Sequence, residues 1–183
     1  TAVCHDPNPD IYQFLHPRDI IKENVNINRD FIVTLDCSKS TVDQIRYQVE
    51  QNKVNVIITP KKGNFSPKEV TFKHGKIKYD LIITVDTGDL EQLGPIYTND
   101  PDIFFSIPLI NIDHHASSSY FGKINLVDIT ASSTTEILFQ FFRMISEETG
   151  EALMDERVAT CLLAGIITDT GSFQNANTTP KSL

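Results

Sequence analysis

The sequence predicts an α/β fold, with a mainly parallel sheet and helices on both of its faces. Three observations lead there. Phe31-Ile-Val-Thr-Leu-Asp36 and Leu81-Ile-Ile-Thr-Val-Asp86 are β-branched, nearly continuous apolar runs, and continuous apolarity marks strands covered on both sides. Val54-Asn-Val-Ile-Ile-Thr59 and Ile107-Pro-Leu-Ile-Asn-Ile112 add two further strand-like runs. Helical spacing alternates with them, because Val42, Ile45 and Val49 recur on one side of the segment Ser40 to Gln51.

In chain order, Thr1-Ala-Val-Cys4 reads as a first strand, and both ends of the chain are expected to continue. Residues 60–79 break the alternation. Lys61-Lys62-Gly63-Asn64 is a turn signal and Val70 to Tyr79 reads as a small hairpin, so this stretch is expected to be an insertion within a single domain spanning 1–183. A helix is predicted to start at Ser133. Ser133 and Glu136 have capping-box spacing, Ile137, Leu138, Phe141, Phe142 and Ile145 form its apolar face, and Gly150 stops it. A second helix follows Asp155; its run Val158 to Ile167 is apolar nearly all round and is expected to be buried.

The 183 residues carry a net charge of −8. So acidic a chain is not built to grip long nucleic acid over its whole surface, although a metal-held small anion remains compatible with it. Cys4, Cys37 and Cys161 are odd in number and lack metal-ligand spacing, which predicts reduced, mostly buried thiols and a cytoplasmic protein. No apolar run is long enough to span a membrane.

Candidate chemistry gathers at strand ends. Asp113-His114-His115 follows a strand, and Asp86 ends another. The carboxyl edge of a parallel sheet is where such folds place ligands, and an imidazole with carboxylates suits Mn²⁺, Mg²⁺ or Zn²⁺. On residue types alone, Asp-His-His equally fits a turn whose side chains satisfy one another. Asp169 closes the second helix, where the macrodipole disfavours a carboxylate and a nearby cation would relieve it; alternatively it faces water and caps the next turn. Ala131-Ser-Ser-Thr-Thr-Glu136 offers hydroxyls and free N–H groups at a helix start, as an anion site or as plain capping. Asp86-Thr-Gly88 and Asp169-Thr-Gly171 also repeat the triplet of two-carboxylate aspartic proteases. The helical run before Asp169 and the absence of a role for Asp-His-His speak against that reading.

Together, Val85-Asp86-Thr87, Asn111-Ile-Asp-His-His115, Asp128 to Glu136, and Gly165-Ile-Ile-Thr-Asp-Thr-Gly-Ser-Phe173 with Asn177-Thr-Thr-Pro180 resemble the motifs of the DHH phosphoesterase superfamily in their order. The nearest branch is that of the oligoribonucleases and phosphoadenosine-phosphate phosphatases (NrnA-like). Cyclic-dinucleotide phosphodiesterases and RecJ-like exonucleases share much of the pattern. The resemblance implies hydrolysis of phosphoesters in short oligonucleotides or small nucleotides, with two Mn²⁺ ions (Mg²⁺ as the substitute) activating water. Asp86 would bridge the two ions, His114 would bind one and Asp169 the other. His115 and Asp113 would serve the phosphate or orient the ligands, and Ser132, Ser133, Thr134 and Thr170 would contact substrate. A homodimer is implied as well. The resemblance also implies a first metal motif and a C-terminal domain that this sequence does not show; His5-Asp-Pro-Asn-Pro-Asp10 mimics the former with wrong spacing. The chain alone is therefore expected to be weakly active, and a nucleotide-binding module without hydrolysis is the reading of another class.

Overall fold

A computed structural model describes residues 1–17, 20–23 and 29–182. It divides the chain into one unit of Thr1–Asn26 with Tyr79–Leu183 and a second of Ile27–Lys78. The segment set apart thus begins well before the 60–79 expected as an insertion. At the start, β1 (Ala2–Val3) pairs in parallel with β2 (Ile21–Lys22), the two separated by a 3₁₀ turn over Asp10–Leu15.

The second unit is built, among its described residues, of β-strands and one 3₁₀ turn over Pro67–Glu69. It holds β3 (Phe31–Leu35), β4 (Thr41–Glu50), β5 (Lys53–Lys62) and β6 (Val70–His74). β4 and β5 form a long antiparallel hairpin, and β3 pairs antiparallel with β6. Three sequence expectations are corrected here. Ser40 to Gln51 is a strand, not a helix, because Ile45, Tyr47 and Val49 alternate with Arg46, Gln48 and Glu50, and the register sets them opposite Ile58, Val56 and Val54. A strand period of two therefore collects six apolar side chains on one face, which the helical period scatters. Phe31 to Asp36 is not a buried parallel strand; its partner is β6, and Phe31 stacks on Phe72 with ring centroids 5.8 Å apart. Val70 to His74 consequently serves β3 rather than a hairpin of its own. Among the described residues of this unit only Ser40 is buried.

The first unit contains the parallel sheet. It comprises β7 (Ile82–Val85), the short helices α1 (Pro95–Thr98) and α2 (Asp102–Ser106), β8 (Leu109–Asp113), β9 (Ile124–Val127), α3 (Thr134–Thr149) and α4 (Glu156–Asp169). Strand order is β7-β8-β9, all parallel, so the fold class is α/β as expected. β8 is the central strand, and Leu109 and Ile112 join Ile103, Phe104, Ile107 and Leu90 in the core. The prediction of cover on both faces holds for β8 only. On the edge strands Ile83, Val85, Ile124 and Leu126 remain 36–55% exposed.

α3 packs on β8, and α4 on α3. Ser133 caps α3 by accepting from the Glu136 N–H, and Gly150 ends the helix in the left-handed region at φ 76°. Asp155 caps α4 by accepting from the Val158 N–H. α4 is not buried all round, since Leu162 is enclosed but Leu163 is 52% exposed. It turns one face to α3, where Gly165 lies so close to Thr135 that an added Cβ would stand 2.4 Å from Thr135 Cγ2. The three cysteines are free but exposed, contrary to the expected burial.

Gly165→Ala separates two opposing effects. Helix propensity alone favours alanine by about 1 kcal/mol, whereas overpacking costs about 1–3 kcal/mol. With Thr135 at the observed distance, the variant is expected to be the less stable, and urea unfolding of parent and variant measures the sign.

Candidate metal centre

Parallel strands deliver their carboxyl ends to one edge, and β7 and β8 bring Asp86 and Asp113-His114-His115 there together. The Asp86 N–H still donates to Ile112 O at 2.9 Å, continuing the ladder. Asp86 itself then adopts φ 58°, a left-handed conformation that costs a non-glycine residue about 1–3 kcal/mol. The turn so made leaves its carboxylate about half exposed, with Oδ1 accepting the Thr134 hydroxyl at 2.7 Å.

Asp113 is fully buried at the end of β8. Its Oδ1 accepts the His114 N–H at 2.9 Å, the His115 N–H at 3.3 Å and His115 Nδ1 at 2.6 Å. Burial pushes the Asp113 carboxyl up, but the hydrogen bonds and charge of His115 outweigh it and hold the group below its ordinary value. For His115 the hydrogen bond to Asp113 raises the pKa, burial opposes, and the charges of Asp86 and Asp169 add to the rise. The self-satisfying turn considered from sequence is therefore real for Asp113 and His115, and His114 is left to face elsewhere.

His114 Nδ1 lies 3.3 Å from Ala131 O. A carbonyl only accepts, so Nδ1 carries the proton and Nε2 presents its lone pair. Nε2 stands 3.6 Å from Asp86 Oδ1 and 3.2 Å from Asp169 Oδ2. Both His114 Nε2 and Asp169 Oδ2 are buried without a hydrogen-bond partner. Unless Nε2 takes up a proton of its own and pairs with the two carboxylates, acceptor faces acceptor, an arrangement that costs free energy until a cation is shared between them. Ligand bonds of about 2.0–2.2 Å to one ion are compatible with donor atoms at these separations. Asp86, His114 and His115 moreover each offer a ligand atom within 4.8 Å of the others. The residues fit a divalent cation.

The remaining expected contacts are placed differently. Ser132 and Thr170 are fully buried, and Ser133 and Thr134 nearly so. Their hydroxyls are engaged inside the protein: Ser132 with Glu136 Oε2, Ser133 with Thr135, Thr134 with Asp86, and Thr170 with Ile166 O. These hydroxyls order the site from within, while Ser133 and Thr134 also line the cleft beside Asp86 and Asp169. Sequence reasoning missed Ala131, whose carbonyl fixes His114, and Asn177, whose Nδ2 donates to Ser132 O at 2.9 Å and to Asp169 O at 3.2 Å. A backbone group leaves no signal in sequence, and Asn177 was read only as part of a motif. Beside Asp86 and Asp169 a cleft of about 410 Å³ opens, bordered by Tyr12, Leu138, Ala164 and Thr168. The aspartic-protease reading fails here, because Asp169 ends a helix and Asp86 a parallel strand.

A carboxylate–imidazole cluster at the carboxyl edge of a parallel sheet defines the class of domain. The profile of the DHH family, N-terminal domain, matches residues 59–166, and the chain belongs to the DHH family. Over 76 residues it is 40% identical to the bifunctional oligoribonuclease and PAP phosphatase NrnA of Thermus thermophilus, covering 41% of this chain and 22% of that protein. Over 103 residues it is 33% identical to the protein of the same name from Bacillus subtilis, covering 56% of this chain and 31% of that one. The chain therefore spans less than a third of the length of these relatives. An exopolyphosphatase-related protein of Bacteroides fragilis superposes with a TM-score of 0.48 at 24% identity, over 57% of this chain and 29% of that one. Among the described residues no helix is long and apolar enough to cross a membrane.

The Asp113–His115 pair has a definite pH signature. Asp113 is lowered from 3.8, so its contribution to stability is present above that value and is lost as pH falls through the lowered pKa. His115 is raised from 6.5, so its contribution is present below that value and is lost as pH rises through the raised pKa. The pair stabilises the fold fully between 3.8 and 6.5. In metal-free protein the His115 ring is expected to titrate above 6.5 by NMR, and to drop on Asp113→Asn. A midpoint unmoved by that substitution would remove Asp113 as the cause.

Proposed function

We propose that the protein is a divalent-metal-dependent phosphoesterase acting on short oligonucleotides or small nucleotides. The observation that carries this reading is the lone pair of His114 Nε2 facing Asp169 Oδ2 at 3.2 Å and Asp86 Oδ1 at 3.6 Å, with no donor between them. Asp86, His114 and Asp169 would hold the ion. Mn²⁺ is the first candidate and Mg²⁺ the second, since oxygen and imidazole donors suit both. When bound, the metal supplies Lewis-acid stabilisation of phosphoryl oxygens and a water acidic enough to act as nucleophile at neutral pH.

The chain's own groups do the rest. Ala131 O holds His114 in the tautomer that presents Nε2, and Thr134 fixes one oxygen of Asp86. His115 is kept protonated toward higher pH by Asp113, which gives the site a cationic donor for a phosphate oxygen. The cleft beside Asp86 and Asp169 is of a size that takes a nucleotide. The relatives' names, oligoribonuclease and PAP phosphatase, favour short oligoribonucleotides and nucleotide phosphates over cyclic dinucleotides or long single strands.

Calorimetric titration of Mn²⁺ into the metal-free chain tests the centre, with an Asp86→Ala, His114→Ala double variant as comparison. The parent is expected to bind and the variant to lose at least tenfold in affinity. A folded parent that binds no Mn²⁺, or a variant that binds equally well, sinks the reading. Hydrolysis of a short oligoribonucleotide, assayed with and without chelator, then tests the reaction. Nucleotide binding that is indifferent to chelator and leads to no hydrolysis would identify a binding module instead.

A further inference from the structure

Glu136 is a buried carboxylate that the proposed chemistry does not use. It sits in the first turn of α3, where capping-box geometry would send its side chain to the backbone N–H of Ser133. It reaches one residue further back instead. Oε2 accepts the Ser132 N–H at 2.8 Å and the Ser132 hydroxyl at 2.7 Å. Ser133 caps the helix without that help, accepting the Glu136 N–H at 3.2 Å. The reach to Ser132 is therefore surplus to helix initiation, and its consequence lies in the turn Ala131–Thr134.

Every candidate ligand is tied to that turn. Ala131 O meets His114 Nδ1, and the Thr134 hydroxyl donates to Asp86 Oδ1. Ser132 O accepts Asn177 Nδ2, which also holds the carbonyl of Asp169. The three ligands come from β7, from the end of β8 and from the end of α4. Apart from the strand ladder, this turn is hydrogen-bonded directly to His114 and Asp86 and, through Asn177, to Asp169, and Glu136 holds Ser132 within it by accepting two donors at once.

We infer that Glu136 is a positioning residue for the metal centre: by clamping Ser132 it sets the Ala131 carbonyl and the Thr134 hydroxyl where they orient His114 and Asp86. The inference rests on the metal reading for its consequence but not for its first test. Removing the clamp frees Ser132, lets the Ala131 carbonyl drift from His114, and allows the imidazole to change tautomer or rotate. Groups that orient metal ligands from behind typically matter about 10–100-fold in affinity.

The experiment compares Glu136→Ala, Glu136→Gln and, as a control for lost stability, Asp155→Ala, which removes the cap of α4 and touches no ligand. Glutamine can present one oxygen to both Ser132 donors, so it is the conservative rescue. In metal-free, ¹⁵N-labelled protein the His114 ring is expected as the Nδ1–H tautomer in the parent, in Glu136→Gln and in Asp155→Ala, and as a mixture in Glu136→Ala. Mn²⁺ titration is expected to show Glu136→Ala weakened about tenfold, with Glu136→Gln and Asp155→Ala within about threefold of the parent. An unchanged His114 tautomer in a folded Glu136→Ala overturns the inference, as does a loss of affinity in Asp155→Ala equal to that in Glu136→Ala. A parent that binds no Mn²⁺ defeats the metal reading alone, because the tautomer readout still decides whether Glu136 sets His114.

Discussion

The site depends on a shortage of donors. At the carboxyl edge of β7 and β8 and the nearby end of α4, the carboxylates of Asp86, Asp113 and Asp169, the carbonyl of Ala131 and the lone pair of His114 Nε2 all present acceptors. Buried acceptors without donors cost roughly 1–3 kcal/mol each, and more when charged. The fold supplies donors with economy. Three go to a single oxygen of Asp113, the Thr134 hydroxyl goes to Asp86, and the imidazole proton of His114 goes to Ala131. Among the described acceptors of the site, His114 Nε2 and Asp169 Oδ2 are left unsatisfied, as are Asp113 Oδ2 and Asn177 Oδ1. Two of these atoms, His114 Nε2 and Asp169 Oδ2, face each other 3.2 Å apart, an arrangement suited to a shared cation.

The same economy explains why the hydroxyl-rich turn is buried. A Ser-Ser-Thr-Thr run before a helix looks like an anion cradle, but its hydroxyls are consumed in fixing the acceptors around it. The strained backbone of Asp86 belongs to this account. A left-handed residue at the end of β7 swings the carboxylate out of the strand direction and toward Thr134, and a strand continuing with ordinary dihedrals would carry it past. Close packing of α4 on α3 at Gly165 and Thr135 then sets the approach of Asp169. A larger residue at 165 would move the helix whose last residue is the ligand.

How far the sequence could be read depended on what decided each element. β7, β8, α3 and α4 were legible because their signals are local: an apolar run ending in Asp, Ser133 and Asp155 as caps, Gly150 as stop. The gathering of Asp86, His114 and Asp169 was legible from a general rule about parallel sheets and from the order of the motifs. Ser40 to Gln51 was misread because Val42, Ile45 and Val49 satisfy a helical spacing while Ile45, Tyr47 and Val49 satisfy a strand spacing. Only the partner strand, with Val54, Val56 and Ile58 in matching alternation, breaks the tie. The role of Ala131 could not be read at all, since a carbonyl is common to every residue, and the reach of Glu136 to Ser132 rather than Ser133 is set by the turn's conformation.

Charge closes the argument for a cation. The net −8 of the chain hides two unlike parts. Ile27–Lys78 carries ten Lys and Arg against five Asp and Glu, a net of +5, whereas the site-bearing remainder carries six against nineteen, a net of −13. A phosphate approaching so acidic a unit is repelled at long range. At the site it would meet the carboxylates of Asp86 and Asp169, with His115 as the nearby cationic group that the structure favours. A divalent cation held by Asp86, His114 and Asp169 reverses the local sign, and it does so where His114 Nε2 and Asp169 Oδ2 face each other without a hydrogen-bond partner.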